Sequence, residues 1–238
     1  MKIALIGYGK MGKAIEEIAL QKGHEVLYRI DVDSKDLLEK STLKQVDVAI
    51  EFSTPETAFQ NIMKCFDAGI PLVCGTTGWL SKLDEVKQRC TEEQQSFLYA
   101  SNFSIGVNIF FEINKRLAEL MEAQAQYEIS IEEIHHTQKK DSPSGTAITL
   151  AEDILEHVSR KKKWVNEAST DPGELDIISK RINPAAGTHI VRYTSEVDDI
   201  EIRHTAHSRK GFASGALTAA EWIRDKKGFF TMKDVLGL

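Results

Sequence analysis

The first strand-like run, Lys2-Ile3-Ala4-Leu5-Ile6, passes without a break into Gly7-Tyr8-Gly9-Lys10-Met11-Gly12. From there a helical spacing of apolar residues takes over at Ala14, Ile15, Ile18 and Ala19. Few short patterns restrict a fold so much. Gly7 permits the tight turn, Gly9 lets a pyrophosphate reach the backbone, and Gly12 lets the helix pack closely on the strand. The helix N-terminus, with unpaired N–H groups and the positive end of the dipole, faces the phosphates in such a unit. The opening therefore predicts a dinucleotide-binding βαβ unit.

The next segments extend that unit. Gly23 ends the helix, Glu25–Ile30 reads as a second strand, and Asp31 falls at its end, 19 residues beyond Gly12. A carboxylate there accepts the adenosine ribose hydroxyls; the other reading of Asp31 is a cap on the Asp33-Ser34 turn. Val32 stands where an NADP site often supplies arginine, while Lys10 and Lys35 are the cations within reach. NADH is expected to serve at least as well as NADPH, with dual use open. Two more apolar strands, Val46–Phe52 and Leu72–Gly75, flank a helix-like stretch from Thr57 to Ala68. Alternating β and α segments imply a doubly wound parallel sheet. Ligands bind such sheets beyond the strands' carboxyl ends, which brings Phe52-Ser53-Thr54 and Gly75-Thr76-Thr77-Gly78 beside the cofactor.

The second half changes character. Asn108 to Ala125 carries helical spacing (Ile109, Ile113, Leu117, Leu120, Met121), and Asp176 to Ile202 alternates like strands around the turn Asn183-Pro184-Ala185-Ala186-Gly187. With the period-two stretch Tyr127–Ile134, these predict a smaller α+β domain. Its chemistry is concentrated in Glu132 to Ala147. His135 and His136 sit at a strand's end, facing opposite sides unless the strand finishes and both turn inward. Ser142-Pro143 reads as N-cap and first helical residue, leaving Ser144, Gly145 and Thr146 in the first turn. Such a turn suits a carboxylate, and Gly145, which costs about 1 kcal/mol against alanine in a helix, fits a ligand touching the backbone.

Composition narrows the partners. A chain of 238 residues with 42% hydrophobic content and net charge −6 has no global reason to bind nucleic acid or a membrane surface. Arg160-Lys161-Lys162-Lys163 reads as a solvated helix end. The N-terminal apolar run is too short for a signal segment and no stretch approaches 18 apolar residues, so a cytoplasmic location is expected. Cys65, Cys74 and Cys90 lack the spacing of a disulfide framework or a zinc site, and reduced thiols are expected. His204 and His207 would face opposite sides of a strand, so no metal site is expected there.

His135-His136-x-x-Lys139-x-Asp141-x-Pro143-Ser144-Gly145-Thr146-Ala147 resembles the signature of bacterial dihydrodipicolinate reductases. Gly75-Thr76-Thr77-Gly78 is similar to that family's nicotinamide-side loop, and Ala100-Ser101-Asn102-Phe103-Ser104-Ile105-Gly106-Val107 to the segment where the family crosses between domains. The resemblance covers essentially the whole chain, with motifs at residues 7–12, 75–78, 101–107, 135–147 and 209–238. It departs within residues 158–190, short here, and at Asn183 and Thr188, where the family commonly shows Gly and Glu.

The resemblance implies a Rossmann-like dinucleotide domain, residues 1–106 with 207–238, and a substrate-binding and tetramerisation domain, residues 107–206. It implies a cyclic imine dicarboxylate that loses its 4-hydroxyl as water and accepts a hydride from NADH or NADPH, giving tetrahydrodipicolinate. His135 matches the family's general acid/base and Lys139 its proton donor and electrostatic clamp; His136, Ser144, Gly145 and Thr146 match its carboxylate-binding residues. Gly7, Tyr8, Gly9, Lys10, Met11, Gly12, Asp31, Phe52, Ser53, Gly75, Thr76, Thr77, Ser101, Asn102 and Phe103 are the expected cofactor contacts, and a homotetramer the expected assembly. Two other functions compete: another two-domain nicotinamide-dependent dehydrogenase, and a non-catalytic NAD-binding sensor. The sensor would have no use for His135, Lys139 and a glycine-containing anion turn together.

Overall fold

In the computed structural model, which describes residues 1–208 and 210–238, eleven strands and eight α-helices are found among the described residues. The strands are β1 (Lys2–Ile6), β2 (Glu25–Ile30), β3 (Val48–Glu51), β4 (Leu72–Cys74), β5 (Ser96–Tyr99), β6 (Glu128–His135), β7 (Lys163–Val165), β8 (Glu174–Arg181), β9 (Gly187–Thr194), β10 (Asp199–Ala206) and β11 (Gly228–Phe230). The helices are α1 (Lys10–Gln21), α2 (Lys40–Leu43), α3 (Pro55–Ala68), α4 (Leu83–Glu92), α5 (Ile105–Met121), α6 (Gly145–His157), α7 (Lys210–Ile223) and α8 (Met232–Leu236). Arg209, where the family's C-terminal pattern begins, lies outside the described residues.

The chain divides into two units, Met1–Ile105 with Lys210–Leu238, and Gly106–Arg209. Relative to the sequence expectation, Gly106, His207 and Ser208 move to the second unit. The first unit is built on a six-stranded sheet in the order β11-β5-β4-β3-β1-β2, parallel throughout. Its central strands are buried on both faces, which is why they read as unbroken apolar runs rather than as alternating ones. One face packs on α3 and α4 through Ala58, Ile62, Phe66, Val86 and Cys90. The other packs on α1 and α7 through Ile15 and through Ala19, Ala213, Ala216 and Ala220, alanines that let helix and sheet approach closely. All three cysteines are buried and free. Caps fix the helix ends: Pro55 opens α3, and Gly69 closes it in the left-handed conformation at φ 70°.

The second unit is a five-stranded mixed sheet in the order β10-β9-β6-β8-β7. β6 lies between β8, its parallel neighbour, and β9, its antiparallel one. The turn around Asn183-Pro184 therefore does not close a hairpin, because β6 is inserted between the two strands that the turn joins. The inward face of the sheet (Ile129, Ile131, Leu175, Ile177, Val191, Tyr193) packs on α6 through Ala147, Leu150, Ala151 and Ile154. One expectation gains detail here and another is corrected. Helix α5 buries Val107, Phe110, Asn114, Ala118 and Met121, whereas Ile109, Ile113 and Leu120 are 42%, 47% and 56% exposed; the apolar positions thus form two faces, not one. The basic run is not a helix end, since α6 stops at His157. Lys161 is buried, its Nζ donating to Glu128 and to the Glu174 carbonyl, and Arg160 donates to the carbonyls of Met121, Glu122 and Tyr127.

Candidate active site

In the first unit, the three fingerprint glycines have separate physical reasons. Gly7 has φ +87°, and a Cβ there would stand 2.1 Å from the Phe52 carbonyl oxygen; a side chain is excluded both by the turn and by the neighbouring strand. A Cβ on Gly12 would stand 2.5 Å from the Gly7 carbonyl oxygen, so α1 could not sit where it does. At Gly9 a Cβ would meet nothing within 4 Å. The fold itself has no need of glycine at position 9. Lys10 begins α1 in solvent, Met11 is half-buried, and the Tyr8 hydroxyl donates to Glu16.

Asp31 follows β2 and caps the short turn Val32–Leu37: Oδ1 accepts the Val32 N–H at 2.9 Å, and Ser34 Oγ accepts the Asp31 N–H. The capping alternative is thus real, and it leaves the carboxylate exposed at the strand's end. The sequence reading missed Arg29, two residues earlier on the same strand, which is ion-paired to Glu16. Loops after β3, β4 and β5 meet around Phe52. Its ring packs on Phe103 at 5.5 Å between centroids and fills the space where a Gly75 side chain would stand. Ser53 N–H donates to Thr76 Oγ1 at 2.8 Å; Thr77 and Ser101 are exposed, and Asn102 Oδ1 accepts the Ser104 N–H. Phe103 is nearly fully buried, a support for the loops more than a contact surface.

Beneath those loops lies Glu51, 0% exposed, accepting from Ser53 N–H, Asn61 Nδ2 and Cys74 Sγ. A glutamate directly after the apolar run Val48-Ala49-Ile50 was the signal that the sequence reading passed over. A buried carboxylate is retained only when donors surround it, and here they hold the loop that carries Ser53.

In the second unit, inward positions of β6 run Ile129, Ile131, Glu133, His135, the alternation continuing from core into chemistry. Register then does the rest. His135 pairs across to Arg181 at the end of β8, and Glu133 to His189 near the start of β9. Glu133, fully buried, accepts from His135 Nδ1 through Oε2 and from Arg181 through Oε1 at 2.8 Å. Burial alone would raise its pKa, but hydrogen bonds from His135, Ser179 and Arg181 outweigh that and bring it down to about 2. The His189 ring stands edge-on to His135, 5.1 Å between centroids, and its Nε2 lies 3.0 Å from Ser144 Oγ. Burial, aided by the nearby His135, pushes His189 down to about 3, so this ring stays neutral at physiological pH. Glu133, Arg181 and His189 were all missed from the sequence; strand alternation could have flagged Glu133, but nothing local could have flagged the other two.

The donor atoms of Glu133, His135 and His189 lie within 4.8 Å of one another, a spacing that could hold a divalent ion. Both Glu133 oxygens are already engaged, however, and the cation of the cluster is the Arg181 guanidinium. His204 and His207 do not join it; His204 packs on Phe110.

The loop after β6 carries the remaining candidates. Lys139 Nζ donates to both oxygens of Asp141 at 2.8 and 2.7 Å. Burial tends to raise the Asp141 pKa, but the Lys139 ammonium beside it wins and lowers it. Arg181 ties this loop to the cluster through the Asp141 carbonyl, 2.7 Å, and Asn183 holds it through Thr137. His136 is half-buried, and its Nδ1 is buried without a hydrogen-bond partner among the described residues. Helix α6 starts two residues later than the Ser142-Pro143 pattern suggested. Ser144 is the N-cap, accepting the Ala147 N–H at 3.3 Å, and is 2% exposed; Gly145 and Thr146 open the first turn. A Cβ on Gly145 would meet nothing within 4 Å, so space around this backbone is open.

Comparison with known proteins agrees with both units. The model of the dihydrodipicolinate reductase N-terminus matches residues 1–103 and that of the C-terminus residues 106–236. The chain is 52% identical to a 4-hydroxy-tetrahydrodipicolinate reductase of Christiangramia forsetii, over 99% of this chain and 98% of that one. It is 40% identical to the enzyme of the same name from Methanosarcina barkeri, over 87% and 79%. The dipicolinate-bound dihydrodipicolinate reductase of Paenisporosarcina sp. TG-14 superposes with a TM-score of 0.75 at 25% identity, covering 97% of each chain. These matches over nearly the full length show that the chain belongs to the dihydrodipicolinate reductase family.

Proposed function

We propose that this protein reduces 4-hydroxy-tetrahydrodipicolinate to tetrahydrodipicolinate with loss of water, as an oxidoreductase of lysine and diaminopimelate biosynthesis. The observation that carries the reading is the segment from Glu133 to Ala147, in which an imidazole, an ammonium and an open helix N-terminus follow one another. A bound nicotinamide dinucleotide supplies the hydride. Gly7 to Gly12, with Tyr8, Gly9, Lys10 and Met11 between them, hold the pyrophosphate. Asp31 takes the adenosine ribose, and Phe52, Ser53, Gly75, Thr76, Thr77, Ser101, Asn102 and Phe103 shape the nicotinamide end.

The substrate is a small cyclic dicarboxylate, in keeping with the dipicolinate held by the Paenisporosarcina enzyme. His136 and the first-turn backbone of Gly145 and Thr146 receive its carboxylates. Ser144 contributes through its buried hydroxyl, which caps that turn and fixes it. Hydride addition leaves an electron-rich carbon that must gain a proton, and Lys139 Nζ and His135 are the groups that supply it. Lys139 exchanges its Asp141 partner for the substrate carboxylate when the substrate binds. NADH is used at least as well as NADPH, because Asp31 repels a 2′-phosphate and the nearby Arg29 is tied to Glu16.

A homotetramer is the assembly proposed; exposed Ile109, Ile113 and Leu120 on α5 support self-association, and light scattering at micromolar concentration measures it. Among the described residues no helix is long and apolar enough to cross a membrane. The direct test generates 4-hydroxy-tetrahydrodipicolinate in situ and follows NADH consumption. An absence of turnover, together with no thermal stabilisation by dipicolinate, would refute the reading.

A further inference from the structure

His135 Nδ1 faces an ionised carboxylate, and a carboxylate only accepts. The ring must therefore carry its constant proton on Nδ1, which leaves Nε2 as the nitrogen where a proton can come and go. Two features make this arrangement rigid. Arg181 holds the other Glu133 oxygen at 2.8 Å, so the carboxylate cannot rotate away, and its positive charge keeps the proton from passing to Glu133. At the other edge of the ring, a Cβ on residue 187 would stand 3.1 Å from Nε2; with Gly187 there, that nitrogen is not covered by a side chain from β9. The neighbouring His189 is held neutral by burial.

We propose that Glu133 is the positioning residue of the active-site imidazole: its carboxylate, braced by Arg181, fixes the His135 ring and tautomer so that Nε2 alone exchanges a proton. The inference rests on the reductase reading only for the use to which that proton is put. It follows the same physics as the buried aspartate behind a catalytic histidine in hydrolases, where loss of the carboxylate permits the wrong tautomer. Arg181 thereby acquires a role too, since through the Asp141 carbonyl it links this pair to the loop that carries Lys139.

The test compares full-length wild type with Glu133→Gln, and with the double variant Glu133→Gln/Arg181→Gln, which leaves no guanidinium without its carboxylate partner if the single variant fails to fold. Imidazole NMR on uniformly 15N-labelled protein, assigned with His135→Gln, is expected to show one far-downfield Nδ1–H proton in wild type, absent from the Glu133 variants. In the reductase assay kcat is expected to fall roughly 10²-fold or more, while the KM for NADH stays within about threefold. A folded variant that keeps the Nδ1–H resonance, or keeps kcat within about threefold of wild type, overturns the proposal. Should wild type show no reductase activity, the reductase reading falls, and the NMR comparison still decides whether Glu133 fixes the tautomer.

Discussion

Alanine at Gly9 and at Gly12, three residues apart in one loop, should have opposite consequences. At position 12 the new methyl group would stand 2.5 Å from the Gly7 carbonyl oxygen, a backbone atom that cannot swing aside. Overpacking of this kind costs about 1–3 kcal/mol. In a protein of this size each kcal/mol moves the midpoint by about 2–4 °C, so Gly12→Ala should lower the melting temperature by roughly 2–12 °C. At position 9 the methyl group meets no protein atom within 4 Å, and the backbone there is extended (φ −82°, ψ −151°). Gly9→Ala should therefore melt at or slightly above the wild-type temperature, since alanine also narrows the unfolded ensemble. Its cost appears only with ligand: a methyl group in the path of the pyrophosphate should weaken NADH by about tenfold or more, equivalent to about 1.4 kcal/mol. Differential scanning fluorimetry without cofactor and NADH titration by fluorescence measure the two quantities separately. If Gly9→Ala melts as low as Gly12→Ala and still binds NADH like wild type, the division of labour among the glycines is wrong.

Lys139→Ala should lower turnover roughly 10²-fold or more with NADH affinity little changed, as loss of a proton donor or charge-stabilising group does; kcat and the NADH dissociation constant, measured side by side, check it. Asp31→Ala should shift kcat/KM toward NADPH, and a wild-type enzyme that already favours NADPH by more than about tenfold would show that nearby cations outweigh the carboxylate. Glu133 is held at about 2, below its ordinary value near 4.5, so it contributes stability that is full above about 4.5 and is lost as pH falls toward 2. Urea midpoints of wild type and Glu133→Gln should accordingly differ most near neutrality and converge as pH approaches about 2; a gap unchanged with pH would contradict the assignment.

Local pattern alone carried the first unit a long way. Strand, Gly7–Gly12 and helix are contiguous, and Gly7 and Gly12 each answer to a backbone neighbour, so spacing was enough to expect the turn, the helix and Asp31 at the end of β2. The alternation of β6 likewise marked which side chains share a face, and the resemblance attached roles to His135 and Lys139. Tertiary structure decided matters that depend on which strands lie side by side. Nothing in the sequence near residue 135 says that β6 inserts between β8 and β9, yet that insertion alone sets Arg181 and His189 against Glu133 and His135. It also decided whether the apolar positions of α5 face the core or solvent, and whether Lys161 is a solvated charge or a buried brace. A helix start shows the same division: Ser142-Pro143 has the composition of a cap, but the hydroxyl that finds Ala147 and His189 belongs to Ser144. Hydrogen bonds to groups far along the chain cannot be read from local spacing, because their worth depends on burial that only the folded chain creates.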